Sequence, residues 1–485
     1  MTPSQTFRIV SSALVIHAAT ITSAQDTWRR SYGGTGTSVA HSVIETSDGG
    51  FLVVGSTGSF GNGSSDIYVL KLDAAGEPAW TRAIGGPGVD SGIGGGELSD
   101  GFVVAGTTTT GAFGGYDYYL AKLDFQGDLQ WEQSYGGQDW DICHALDVTT
   151  DRILLGGVQY GMDSPYGSAN VLSLDLSGTT TWSFSLGEPY ASQCRGLTAT
   201  LDDGVVLVGQ IDGAGTYSDA LMVKLDAQGN QVWSEQHVGD STDVFHGIVE
   251  VPSVGYVAIG NTISQSNVQF IHLYSVDLSG QFVWEQVIGN TVDAGGAAIA
   301  RAANGDLVLT GYNTLNLGAR DMIFTRTEPE GWFLVGNNYG NGQPADGYCI
   351  QPTSDGGFVV AGWCEGYGPG IRSVYVVKTD STGQTDGLDV EPYADPTTVV
   401  EHLDTGAVTT SPNPSLLGQS VWVSGFEPAH TYQVEVRDLA GRLVSRLFMR
   451  PAGDGLVLTD LPRGQYFVSV LRDGAHFGVE RLIVL

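Results

Sequence analysis

Basic side chains are scarce in this chain: 21 Lys and Arg stand against 53 Asp and Glu in 485 residues, a formal net charge of −32. No Lys/Arg cluster interrupts that balance, which excludes nucleic acid as a partner, because a phosphate backbone is bound by grouped cations. The surplus negative charge favours solubility and leaves cation binding open. Calcium is the candidate cation, and no cofactor is identified. Long apolar runs are missing too. Beyond the first 24 residues none approaches the roughly 18 residues of a membrane-spanning helix, so no transmembrane segment is expected in the mature chain. Cysteine is limited to Cys143, Cys194, Cys349 and Cys364, enough for two disulfides at most in an exported protein. Compact catalytic signatures are absent: there is no G-x-S-x-G, H-E-x-x-H, G-x-x-x-x-G-K-[ST] or C-x-x-C, and nothing of helical period competes with the short β-type runs.

What fills the chain instead is one 51-residue unit, present seven times between residues 28 and 383. The glycine that closes the apolar run GFLVVG recurs at Gly55, Gly106, Gly157, Gly209, Gly260, Gly311 and Gly362. In a second register the acidic residue of KLDAAG recurs at Asp73, Asp124, Asp175, Asp226, Asp277, Glu328 and Asp380. A fixed period of this size marks a repeat architecture in which each unit is one supersecondary element. The first unit reads as four strands: SVAHSVIET alternates, SDGG turns, FLVVG is a buried run, IYVLKLD alternates, and AWTRAIGG follows the next turn. Four antiparallel strands per unit predict a seven-bladed β-propeller. A Trp strand follows the acidic turn at Trp80, Trp131, Trp182, Trp233 and Trp284, but none follows Asp380. Its counterpart is TWRRSYGG at the start, so Trp28 to Tyr32 is expected to complete the seventh blade and close the ring. In the sixth unit Glu328 replaces Asp and Trp332 sits closer to the turn, making that outer hairpin the least regular.

Residues 1–24 have the layout of a secretory signal peptide: Arg8, the apolar IVSSALVIHAA, and small residues before Gln25. Residues 25–383 are then the propeller, and 384–408, acidic and outside both registers, a linker. Residues 409–485 contain alternating strands such as TYQVEVRD and GQYFVSVLRD, which predict a small Ig-like β-sandwich. Within it SPNP at Ser411 to Pro414, DLAGRLV at Asp438 to Val444, LPRGQYFVSVLRDG at Leu461 to Gly474 and the terminal RLIVL resemble the C-terminal sorting domain of proteins exported by the type IX secretion system of Bacteroidota-like bacteria. The resemblance implies passage through the periplasm, recognition by that secretion machinery, and release or attachment at the cell surface. The propeller units, through SYGG at Ser31, TSDGGF at Thr46 and Thr353, and KLD at Lys71, Lys122 and Lys224, resemble Gly-rich repeats of many exported bacterial proteins of unassigned activity. That likeness implies a fold and no ligand.

Counting back fourteen residues from each motif glycine, with one deletion in the third unit, reaches the strand that lines a propeller's channel. The occupants are His41, Gly92, His144, Arg195, His246, Ala297 and Tyr348. Just upstream stand Asp90, Asp141, Asp243, Asp293 and Asp346. Read functionally, imidazoles, Arg195 and carboxylates converge on a polar ligand, a sugar or a divalent cation, at one channel mouth. Read structurally, the same residues satisfy backbone groups of the next blade. The D-x-Y aspartates Asp66, Asp117, Asp219 and Asp321, and the Trp series, divide the same way, between calcium or sugar binding and turn or packing roles. Cys349 and Cys364 flank one hairpin turn and are candidates for a cross-strand disulfide. Cys143 and Cys194 hold equivalent places in adjacent units, as an inter-blade bridge or as free thiols. The function expected is that of a secreted or cell-surface propeller binding an extracellular ligand such as a glycan. The alternatives are a carbohydrate-active hydrolase or lyase with its site at the channel mouth, and a structural spacer in adhesion.

Overall fold

The computed structural model describes residues 26–385 apart from 112–114, 162–163, 188–189, 213–216, 239–240, 253, 265–267, 290–292, 315–318 and 341. Beyond 385 it describes 392–393, 399–401, 409–411, 421–424, 432–438, 443–449, 455–458, 461–472 and 475–484. The expected signal peptide lies outside the described residues, as does most of the expected linker.

The repeat folds as read, into seven four-stranded antiparallel blades. In blade 1 the strands run Ser38–Glu45, Phe51–Thr57, Asp66–Leu72 and Pro78–Gly85, from innermost to outermost. The other innermost strands are Asp90–Leu98, Asp141–Val148, Ser192–Ala199, Thr242–Val251, Ala294–Arg301 and Ala345–Pro352. Each touches the next, and the first touches the last, so the blades form a closed cycle. Closure is made by the N-terminal strand Trp28–Tyr32, which pairs antiparallel with Ser373–Thr379 as the fourth strand of blade 7.

Middle strands lie between neighbouring blades and are buried on both faces, so FLVV is an unbroken apolar run, and IYVLKL, read as alternating, is buried throughout with Lys71 its one charged residue. The core is a series of inter-blade layers: Leu52, Val54, Ile67 and Val69 of blade 1 pack on Phe102, Val104 and Tyr119 of blade 2. Outermost strands alternate, as in Gln231–His237. There the Trp series is packing. The Trp80 indole donates to the Phe125 carbonyl at 3.0 Å and covers Gly127 of the next blade's turn. Trp182 covers Gly229, and Trp233 covers Gly280, in the same way. In blade 6 Trp332 is part of the turn, accepting from Glu328 N–H at 2.8 Å, and Val335 stands in the packing position.

Two side-chain devices repeat with the blades. The Asp of KLD accepts through Oδ1 from the N–H groups two and four residues on, as at Asp73, Asp226 and Asp380, an Asx turn. The Lys two residues before that Asp turns inward to the Asp of the preceding hairpin turn: Lys71 to Asp48 at 2.9 Å, Lys224 to Asp202 at 2.8 Å and Lys378 to Asp355 at 2.7 Å.

The expected cross-strand disulfide is not formed, and all four cysteines are free. The hairpin register sets Cys349 opposite Ala361 and Cys364 opposite Ala345, so the two thiols are offset along the strands. Cys349 Sγ donates instead to the Val43 carbonyl, and Cys364 Sγ to that of Tyr367. Within the linker span, Pro392–Tyr393 and Val399–Glu401 add in parallel to the outer strands of blades 7 and 1. Past it the described strands form two antiparallel sheets, one of three strands and one of four. Among the described residues no helix is long and apolar enough to cross a membrane.

Candidate functional site

One feature of the inner strands organises the site. Every one carries a β-bulge, marked by a register shift between Ala40 and Ser42, Gly92 and Gly94, Cys143 and Ala145, Cys194 and Gly196, Phe245 and Gly247, Gly296 and Ala298, and Gly347 and Cys349. The extra residue is therefore His41, Ile93, His144, Arg195, His246, Ala297 and Tyr348 in turn. A bulge re-aims one side chain out of the ladder. The motif glycine exists because of it: a Cβ on Gly55, Gly106, Gly157, Gly209, Gly260, Gly311 or Gly362 would overlap the carbonyl oxygen two residues before the bulged position.

All seven bulged residues line one cavity of about 920 Å³ in the channel. Six of them were reached by counting from the glycines. In blade 2 the count went one too far, to Gly92, because the turn SDG between Leu98 and Phe102 lacks a residue found in SDGG. Ile93 holds that place.

His41 uses Nδ1 to bond the Gly92 carbonyl of blade 2 at 2.7 Å, and its ring stacks on Tyr348 at 5.7 Å across the blade 7 to blade 1 seam. The Tyr348 hydroxyl accepts from Trp363 Nε1 at 3.1 Å. In blade 5 the tautomer of His246 follows from its partner. Asn261 Oδ1 accepts from Gly296 N–H at 2.8 Å, which leaves the Asn261 amide to donate to His246 Nε2 at 2.9 Å. His246 thus carries its proton on Nδ1. Burial, with Arg195 adding to it, holds His246 down at about 4. Burial, Arg195 and then His246 hold His144 at about 4 as well, and burial lowers His41. At neutral pH all three imidazoles are uncharged, and two of them, His144 and His246, flank the Arg195 guanidinium. Arg195 Nε is buried with no hydrogen-bond partner.

Of the carboxylates predicted at the channel mouth only Asp293 and Asp346 are brought together, both on Arg320. Asp346 lines the cavity and lies 3.6 Å from Arg320. Asp90 and Asp141 start their strands and Asp243 is second in its own, each three residues ahead of the bulge, and all three are buried. Asp90 accepts from Gly86 N–H at 2.9 Å, Asp141 from Gly137 N–H at 2.5 Å, and Asp243 from the Ser241 hydroxyl at 3.0 Å. Burial pushes the Asp141 carboxyl up to about 6, the Gly137 bond opposes this, and the Asp117 carboxylate adds to it. Asp293 is engaged by the Tyr312 hydroxyl at 3.1 Å and by Arg320 at 3.5 Å. Of the D-x-Y group, Asp66 converges with Asp90 on Gly85, and Asp117 with Asp141 on Gly136.

Sequence reasoning missed Asn261, Tyr312, Arg320 and Asp147, all of which line the cavity. Asp147 was legible only as one more acid among 53. Its two oxygens are held by the N–H groups of Val148 and Ala199, at 2.8 and 2.7 Å.

No protein-family model and no curated protein matches the chain. Among solved structures it is similar to a protein of unknown function from Bacteroides caccae, at 13% identity, covering 59% of this chain and 92% of that one, with a TM-score of 0.38. It is similar to the extracellular domain of a proposed one-component system from B. thetaiotaomicron, at 8% identity, covering 92% and 57%, with a TM-score of 0.39. A third likeness is to a protein of unknown function from Dyadobacter fermentans, at 11% identity, covering 73% and 97%, with a TM-score of 0.41. No functional statement follows from likenesses at this level.

Proposed function

We propose that this is an exported β-propeller that binds an extracellular glycan bearing a carboxylate, such as a uronate, at Arg195 in the channel cavity. Export would begin with residues 1–24, and residues 409–485 would act as a type IX sorting domain. The observation that carries the reading is the buried Arg195 Nε, without a partner, at the centre of neutral imidazoles. A guanidinium so placed is completed by a planar two-oxygen anion, which it can grip with paired hydrogen bonds. Neutral imidazoles both donate and accept, as sugar hydroxyls require, and the Tyr348 ring offers an apolar face. The same positive centre disfavours calcium there.

The test is titration calorimetry of the full chain with oligogalacturonates, with and without calcium, alongside the neutral oligosaccharide of equal length. Arg195→Ala is expected to lower affinity at least about tenfold, the loss of one charge-assisted pair. Arg195→Lys should recover only part of it. Equal binding of charged and neutral oligosaccharides, or no effect of Arg195→Ala, would overturn the proposal. Cleaved product would turn the reading to the hydrolase or lyase alternative.

A further inference from the structure

At the seam between blades 4 and 5 the repeat is broken in two places at once. In blade 2 the third strand carries Tyr119, whose hydroxyl donates to Glu132 of the fourth strand at 2.5 Å. The equivalent pair in blade 5 is His272 and Glu285, five residues before and eight after Asp277. An imidazole is shorter than a phenol, and His272 Nε2 stops 3.5 Å from Glu285 Oε2. His237, the last residue of the outer strand of blade 4, enters from the facing blade and brings Nδ1 to 3.9 Å from the same oxygen. The ligand-capable atoms of all three residues lie within 4.8 Å of one another.

The imidazole of His272 is 1% exposed, and neither ring nitrogen has a hydrogen-bond partner. Leaving a ring in that state costs free energy unless something satisfies it. The separations are long for hydrogen bonds. The 3.5 Å between His272 and Glu285 is close to the edge of a coordination tetrahedron, since two ligands about 2.0–2.2 Å from one ion stand roughly 3.4 Å apart, and the wider His237 separations need that ring to move inward.

We propose that His237, His272 and Glu285 bind one divalent transition-metal ion of the zinc class, tying blade 4 to blade 5. Two imidazole nitrogens and one carboxylate suit such an ion and do not suit calcium or magnesium, which take oxygen ligands. Glu285 is partly exposed, so water completes the coordination sphere, and the acidic chain draws cations towards it.

The experiment uses the untagged full chain, stripped with chelator and titrated with Co²⁺ and then Zn²⁺. One equivalent of Co²⁺ should give the visible bands of a tetrahedral site, Zn²⁺ should displace it, and Zn²⁺ should raise Tm where Ca²⁺ does not. Glu285→Gln alters an exposed side chain and His237→Gln a partly buried one, and both should melt close to the parent in chelator. Each should lose at least about a hundredfold in metal affinity, more than the loss of a supporting group costs. His144→Gln should bind metal normally. Absence of stoichiometric uptake, uptake unchanged in the two variants, or equal competition by Ca²⁺ would overturn the proposal and leave the three residues as aromatic and polar packing.

Discussion

At the scale of single residues, the repeated motifs resolve into pairs that are distant in sequence. Lys224 is 3% exposed and spends its three protons on Asp202, the Thr200 hydroxyl and the Leu225 carbonyl, at 2.8, 2.9 and 3.1 Å. For Asp202, partial burial pushes the carboxyl up, but hydrogen bonds from Lys224 and Thr200 outweigh it and hold it at about 2, below its ordinary 3.8. Asp48, beside Lys71, is likewise held at about 2. A carboxyl depressed in the folded state contributes stability that is present above its unfolded pKa and lost as pH falls through its folded one. These turns should therefore weaken between about pH 3.8 and 2. Asp202→Ala leaves a buried ammonium with one partner fewer. Because Asp202 itself is largely exposed, the expected cost is only about 1–3 kcal/mol. Urea melts at pH 7 and pH 3 test this. Asp202→Ala must be clearly less stable at pH 7, and its deficit must shrink at the lower pH. A constant deficit would mean the carboxylate plays no such part.

At the scale of the strand, the bulge joins the most regular sequence feature to the least regular side chains. Gly209 faces Cys194, and its missing Cβ leaves room for the Gln193 carbonyl that the bulge at Arg195 displaces. Gly209→Ala should cost about 1–3 kcal/mol by crowding and should also misdirect Arg195, so uronate affinity falls with stability. Gly49, at φ 79° with open space around it, provides the control. Gly49→Ala should cost about 1 kcal/mol through its backbone conformation and leave binding alone. If both variants lower affinity alike, the bulge does not set the site. The same link explains what could be read in advance. The glycine period located the blades and six of seven channel positions because each glycine answers to one bulge. It failed at Ile93, where a shortened turn shifted the count. The carboxylates misled because nearness in sequence carries no side-chain direction: Asp90 and Asp346 lie three and two residues from a bulge, yet only Asp346 enters the cavity. His237, His272 and Glu285 carry no motif. They become visible only when blade 5 is laid against blade 2 and a phenol is found replaced by an imidazole.

At the scale of the whole molecule, the ring is one cooperative body only if its ends are joined. The joint is Trp28–Tyr32. Trp28 packs edge-on against Phe51 of blade 1 at 5.7 Å, and the Tyr32 hydroxyl donates to the Gly76 carbonyl at 2.7 Å, so this strand belongs to blade 7 by pairing and to blade 1 by packing. Trp28 is 8% exposed and Tyr32 fully buried. Withdrawing those two side chains alone forfeits about 3–6 kcal/mol of apolar burial, and the exposed edge of Ser373–Thr379 becomes a template for pairing with other chains. A chain begun at Gly34 should therefore melt roughly 6–24 °C below one begun at Gln25, taking a conversion of about 2–4 °C per kcal/mol, and should self-associate. Added in excess, a peptide of residues 25–34 should restore much of the loss by filling the vacated edge, as strand addition does elsewhere. A truncated chain that melts within 2–3 °C of the longer one, with the peptide inert, would show that the seven blades hold their circle through the inner strands alone, and that the strand at the start of the chain is an ornament on blade 7.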